Sequence, residues 1–227
     1  MALILSLETS STGCSVALHE NGELINSLRI TESQAHAAKL AALIHEVVGG
    51  KQKMTSLRAV AISSGPGSYT GLRIGTSTAK GICFALQIPL IAVNTLELLC
   101  FQFLEKNKNI SALLCPMIDA KRMEVYCHVV DQNLKIFQEV EAKVVDQTSF
   151  AELLNNHKMF FFGDGAEKCE KVITHQNAFF VSGYGPEAVE VGKLAFTKFQ
   201  KGQFEDLVSF VPFYLKDFVA KKAAPVF

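Results

Sequence analysis

Ala59-Val60-Ala61-Ile62-Ser63-Ser64-Gly65-Pro66-Gly67-Ser68-Tyr69-Thr70-Gly71-Leu72-Arg73-Ile74-Gly75-Thr76-Ser77-Thr78-Ala79-Lys80-Gly81 reads as a strand, a tight turn and a helix in immediate succession. The apolar run 59–62 has the length of a buried strand. Gly65-Pro66-Gly67 breaks it, because Pro66 fixes φ and lacks a donor while the glycines take conformations closed to other residues. Ser68 or Thr70 caps the helix that follows. Gly71, Gly75 and Ala79 recur every four residues, so one helix face is nearly bare. A helical glycine costs about 1 kcal/mol against alanine, so a bare face calls for a packing or binding reason. Three readings stand: a tight turn with an internal helix contact, a helix presented to a partner, and an anion site at a helix N-terminus. Neither G-x-x-x-x-G-K-[ST] nor G-x-G-x-x-G occurs here.

Upstream, Leu3–Leu7, Cys14–Leu18 and Leu24–Ile30 read as strands, with Asn21-Gly22 a type I′ hairpin signal. Thr31-Glu32-Ser33-Gln34 has capping-box spacing. Leu40, Leu43, Ile44, Val47 and Val48 then recur at helical spacing until Gly49-Gly50. Downstream come a strand at Leu90–Val93 and a helix capped by Asn94-Thr95 that runs to about Leu104. Lys106-Asn107-Lys108-Asn109 is a polar break, dividing the chain into residues 1–106 and 107–227. The second part repeats the order. Strands are expected at Ala112–Ile118, Met123–Val130 and Leu134–Val140, then a helix from Thr148 and a strand at Met159–Phe162. A helix from Ala166, a strand at Phe179–Val181 and a helix from Pro186 to about Lys201 complete it. Two β-β-β-α-β-α lobes in tandem describe the duplicated actin-like, sugar-kinase-like α/β fold, in which nucleotide binds between the lobes.

Composition narrows the function. The 227 residues carry 22 basic and 22 acidic side chains, for a net charge of 0, which argues against a strongly basic nucleic-acid surface. Lys216, Lys221 and Lys222 make only a modest basic patch near the tail. Six cysteines sit singly in apolar surroundings, with no C-x-x-C pair, as reduced core thiols of a cytoplasmic protein do. No stretch reads as a signal peptide or a membrane span.

Ile4-Leu5-Ser6-Leu7-Glu8-Thr9-Ser10, Ser64–Arg73 and Pro116-Met117-Ile118-Asp119-Ala120-Lys121-Arg122-Met123-Glu124-Val125-Tyr126 together resemble the bacterial TsaB (YeaZ) family. Phe162-Gly163-Asp164-Gly165 and Pro212-Phe213-Tyr214-Leu215-Lys216 add to the match. The resemblance implies a non-catalytic subunit that helps make N6-threonylcarbamoyladenosine at position 37 of tRNAs reading A-starting codons. It implies pairing with a TsaD-type transferase and a TsaE-type ATPase, a homodimer when alone, and indirect contact with tRNA. No tightly bound cofactor is implied, ATP being used by the partner complex. The partner surface maps to Leu40, Leu43, Ile44 and Val47, and to Tyr69, Gly71, Leu72, Arg73, Gly75, Thr76, Ala79 and Cys83.

The residues can be asked separately whether the chain is catalytic. A metal-gripping H-x-x-x-H needs histidines one turn apart, and His36 and His45 are nine apart. His19, His128, His157 and His175 are scattered strand or surface residues, and no G-x-S-x-G elbow occurs. Residual nucleotide contacts fall on Glu8, Thr9, Ser10 and Ser11 after the first strand, and on Asp119, Lys121 and Asp164 in the second half. Asp164, between two glycines, reads first as a turn residue. The alternative to a scaffold is a small ATP-dependent kinase or nucleotide hydrolase built on those residues, with a metallopeptidase further behind.

Overall fold

The computed structural model describes residues 1–32 and 36–216. In chain order the first half comprises β1 (Leu3–Glu8), β2 (Cys14–Glu20), β3 (Glu23–Ile30), α1 (His36–Val48), α2 (Lys51–Met54), β4 (Ala59–Ser63), α3 (Tyr69–Leu86), β5 (Leu90–Val93) and α4 (Thr95–Lys106). The second comprises β6 (Leu113–Asp119), β7 (Glu124–Val130), β8 (Ile136–Val144), α5 (Ala151–Asn156), β9 (Met159–Phe162), α6 (Ala166–Glu170), β10 (Ala178–Val181) and α7 (Ala188–Gln200).

Each half builds a five-stranded mixed sheet, ordered β3-β2-β1-β4-β5 and β8-β7-β6-β9-β10. The first three strands of each half form an antiparallel meander, and the last two pair parallel through helical crossovers. This is the duplicated actin-like arrangement. The Asn21-Gly22 turn has φ of 51° and 88°, the left-handed pair that the type I′ hairpin requires. Of the expected capping box, Ser33 and Gln34 lie outside the described residues, as do Lys221 and Lys222.

Alternation along β1 sorts the first core into two layers. Leu3, Leu5 and Leu7 meet Leu40, Leu43, Ile44 and Val47 of α1, with Ala79 and Cys83 of α3. Ile4 faces the other way, with Ala59, Ala61, Ile91 and Val93, onto Leu98, Val191 and Ala195. Val191 and Ala195 belong to α7, so the last helix among the described residues returns to cover the first sheet. Pro186 precedes this helix and its N-cap Glu187, and so stands outside the first turn that the sequence suggested.

Helix α4 is buried on two sides. Leu98 faces the first sheet, while Leu96, Leu99, Cys100 and Phe103 pack against Leu114, Ile118, Val130 and Phe162 of the second. Phe103 stacks on Phe162 with ring centroids 4.3 Å apart. The two halves are thus joined through one shared apolar layer. All six cysteines are buried and free.

Candidate functional site

The turn after β4 is shaped by close approaches. Gly65 has φ of +104° and precedes a cis peptide to Pro66. Ser68 is the N-cap of α3: its hydroxyl accepts from the Gly71 amide at 3.3 Å, and its own amide donates to the Ser10 carbonyl at 2.7 Å. A Cβ on Gly67 would sit 2.4 Å from that carbonyl, one on Gly71 2.0 Å from the Thr9 carbonyl, and one on Gly75 2.3 Å from Thr9 Oγ1. The bare face of α3 is therefore occupied by the chain's own β1–β2 turn.

Beside this contact lies a cleft of about 660 Å³ between the halves. Ser10, Ser11, Thr12, Ser68, Thr70 and the start of α3 line one wall; Ile118, Asp119, Lys121, Tyr126 and Asp164 line the other. Of the expected nucleotide contacts the structure brings Ser10, Ser11, Asp119, Lys121 and Asp164 together. It does not bring Glu8 and Thr9 to the cleft surface: both are buried behind it. Burial raises the Glu8 carboxyl, and the nearby Asp164 charge adds to this, although Ser10 donates to it from both backbone and side chain.

Asp164 accepts from the Asp119 amide at 3.0 Å, so this residue between two glycines ties the two wall turns together. Enclosure raises its carboxyl. Burial would do the same to Asp119, but the Lys168 ammonium, the Lys121 amide and the two lysine charges outweigh it and hold Asp119 below the ordinary carboxylate value. Lys168 also donates to the Glu124 carbonyl at 2.6 Å. Lys121 and Arg122 adopt φ of 71° and 52°, an unusual backbone for long side chains that turns the chain sharply at the cleft rim.

With the geometry in place, similarity to known proteins can be weighed. Residues 30–226 match the family described as TsaD: tRNA N6-adenosine threonylcarbamoyltransferase. The "tRNA threonylcarbamoyladenosine biosynthesis protein TsaB" of Buchnera aphidicola subsp. Acyrthosiphon pisum is 34% identical over 125 residues, 55% of this chain and 55% of that protein. That of Haemophilus influenzae is 25% identical over 98% of this chain and 97% of its own length. A crystal structure from Pseudomonas aeruginosa, described as similar to peptidase YEAZ, superposes with a TM-score of 0.77 at 26% identity, covering 95% of this chain and all of that one. The chain belongs to the TsaD family and, within it, to TsaB/YeaZ. The stretch matched in the Buchnera protein is only about half of that protein's length.

For a TsaB/YeaZ chain the surface that meets other proteins matters as much as the cleft, and here the structure corrects the residue assignment. Leu40, Leu43, Ile44 and Val47 are buried in the chain's own core, as are Gly71, Leu72, Gly75, Thr76, Ala79 and Cys83. Tyr69 is half-buried between the cleft and Tyr214, whose ring lies 5.0 Å away, and Arg73 is exposed with its guanidinium 4.5 Å over the Tyr69 ring. The faces free to meet a partner are the opposite ones: Ala41, Ala42, His45 and Glu46 on α1, and Thr70, Arg73, Ser77, Gly81, Phe84 and Ala85 on α3. Phe84 is 79% exposed.

Nothing in the sequence pattern named Tyr126, Lys168, Phe84 or Tyr214. Tyr126 and Tyr214 do fall inside two of the five segments that carried the resemblance. Among the described residues no three His, Cys, Asp or Glu side chains converge as a metal site, and no helix is long and apolar enough to cross a membrane. His45 is exposed on the outer face of α1, while burial pushes the His19 and His128 imidazoles down to about 4.

Proposed function

We propose that this chain is a non-catalytic scaffold subunit in the formation of N6-threonylcarbamoyladenosine at position 37 of tRNAs that read A-starting codons. It binds a TsaD-type transferase subunit through the outer faces of α1 and α3. The observation that carries this reading is the exposed face of each helix: small side chains on α1 (Ala41, Ala42) and on α3 (Ser77, Gly81, Ala85), with the exposed Phe84 on α3. Small residues let helices approach closely, and an exposed aromatic is the commonest kind of interface anchor. Alone, the chain uses the same surface to form a homodimer. A TsaE-type ATPase joins the mixed complex and ATP is consumed there, with tRNA held mainly by the partners in the cytoplasm. The acids of the cleft support a scaffold over an enzyme, since Glu8 is buried and Asp119 is already held by two lysines.

Size-exclusion chromatography with light scattering, on the chain alone and then mixed with the TsaD-type subunit of the same source, tests this. A homodimer that converts to a one-to-one mixed complex is expected, and a chain that ignores the transferase would overturn the proposal.

The cleft favours one second reading. Ser10, Ser11, Asp119, Lys121 and Asp164 converge on about 660 Å³ of space, room enough for a nucleotide, so a kinase or nucleotide hydrolase remains the alternative. ATP turnover by the purified chain that vanishes in Asp119→Ala would favour it.

A further inference from the structure

The segment that follows α7 runs along the first half before it reaches the second. Leu207 and Phe210 pack against the first core. The Lys80 ammonium of α3 donates to the Val208 carbonyl at 3.2 Å and to the Phe210 carbonyl at 2.9 Å. Pro212 is buried, and the Phe213 amide donates to the Ser64 carbonyl at 2.7 Å. A Cβ on Gly65 would stand 2.7 Å from the Phe213 carbonyl, so the two backbones cross in contact.

Beyond this crossing the chain changes sides. Tyr214 lies against Tyr69 of the first half, and Lys216 forms an ion pair with Glu124 of β7 in the second. Gly67, Tyr69 and Tyr126 line both the large cleft and a gap of about 30 Å³ that Phe213–Lys216 close from the other side. Tyr214, Leu215 and Lys216 therefore wall off one end of the cleft.

The two ends of this wall are held unequally. Buried apolar side chains and backbone hydrogen bonds fix the segment up to Phe213, and salt does not loosen them. At Lys216 the tie is an ion pair between two partly exposed side chains, which salt screens and which contributes little to stability. A segment anchored firmly at one end and lightly at the other works as a hinged cover.

We propose that residues 214–216 are a latch over one end of the cleft. It pivots at the crossing of Phe213 and Ser64 and is held shut by the Lys216–Glu124 pair. Opening it uncovers Tyr69 and Tyr126 and widens the entry for a small molecule. The latch does not depend on the partner-binding role.

The chain has no tryptophan, so Tyr214→Trp places a single fluorescent reporter on the latch. In that background Lys216→Gln should raise acrylamide quenching at least about twofold, as expected of a local opening. Glu124→Gln should do the same, and the two together should do no more than either. Raising salt from about 20 mM to about 1 M should reproduce the effect without either substitution and add nothing to it in Lys216→Gln. Quenching that ignores both substitutions and salt would overturn the latch. Nitration by tetranitromethane, read by mass spectrometry, repeats the test with Tyr214 in place. In Lys216→Gln, Tyr69 and Tyr126 should react at least about threefold faster, while Tyr184, whose hydroxyl accepts from Asn107 at 2.7 Å, keeps its rate. Unchanged rates at Tyr69 and Tyr126, or an equal rise at Tyr184, would overturn the proposal.

Discussion

Gly75 of α3 lies so close to Thr9 that a Cβ added to the glycine would stand 2.3 Å from Thr9 Oγ1. One turn earlier, Gly71 meets the Thr9 carbonyl oxygen in the same way, at 2.0 Å. The two glycines seat the helix on the first turn of the chain, through a side chain at one position and the backbone at the other.

That difference is testable. Gly75→Ala gains about 1 kcal/mol of helix propensity but overpacks the contact, at a typical cost of 1–3 kcal/mol, so a net loss of up to about 2 kcal/mol is expected. Thr9→Ala should relieve most of it by removing Oγ1. Gly71→Ala should be more damaging, and Thr9→Ala should not relieve it because the obstruction is a carbonyl. Urea denaturation of the three single and two double variants measures this, and equal rescue at both positions would refute the geometry.

Gly192 and His19 form a second such pair. A Cβ on Gly192 would sit 2.1 Å from His19 Nδ1, and the imidazole is fully buried. Burial lowers the His19 imidazole from 6.5 to about 4. The unfolded chain therefore takes up a proton that the folded chain refuses, and stability falls as pH drops from about 6.5 towards 4. At about 1.4 kcal/mol per pKa unit the loss is about 2–3 kcal/mol. His19→Leu replaces a buried imidazole with an apolar side chain and should change stability little at pH 7. The difference between wild type and His19→Leu should widen steadily below pH 6.5, and a pH-independent difference would count against the assignment.

Phe103 is the keystone of the layer shared by both sheets, stacked on Phe162 and 5.2 Å from the Tyr184 ring. Phe103→Ala should cost about 3–5 kcal/mol. The cavity opens between α4 and the second sheet, so hydrogen exchange should rise in α4 and β6 more than in β1, which α4 meets through Leu98. Equal loosening of β1 would mean that Phe103 supports both sheets.

Phe84→Asp changes a side chain that is 79% exposed, so the monomer should keep its stability within about 0.5 kcal/mol. Binding to the transferase subunit should weaken at least tenfold if the outer face of α3 is the docking surface. Titration by calorimetry separates the two effects.

Much of the fold was legible because strands and hairpins announce themselves locally. Asn21-Gly22 gave the β2–β3 hairpin turn, and Leu90–Val93 and Met159–Phe162 were bounded correctly by their apolar runs. Which surface an apolar stripe covers is another matter. Leu40, Leu43, Ile44 and Val47 read correctly as one buried face, but periodicity does not say whether a sheet or a partner buries it. The glycine face of α3 raised the same ambiguity, and its contact is partly a backbone carbonyl, which leaves no trace in a residue pattern. Within the cleft the hydroxyl-rich turn and the two aspartates could be found as residues following strands. Lys168 could not, since a lysine on a five-residue helix is indistinguishable from a surface charge until the fold brings it to Asp119.

The return of α7 to the first sheet bears on how the chain is made. Ile4, Ala59 and Ile91 emerge early in synthesis, yet the side chains that cover them, Val191 and Ala195, emerge some hundred residues after the last of these. Until then one face of a finished-looking sheet stays bare to water. Such transiently exposed surface invites aggregation or a holding chaperone, so an N-terminal fragment ending before Ala188 should be sticky and poorly soluble while the longer chain is not.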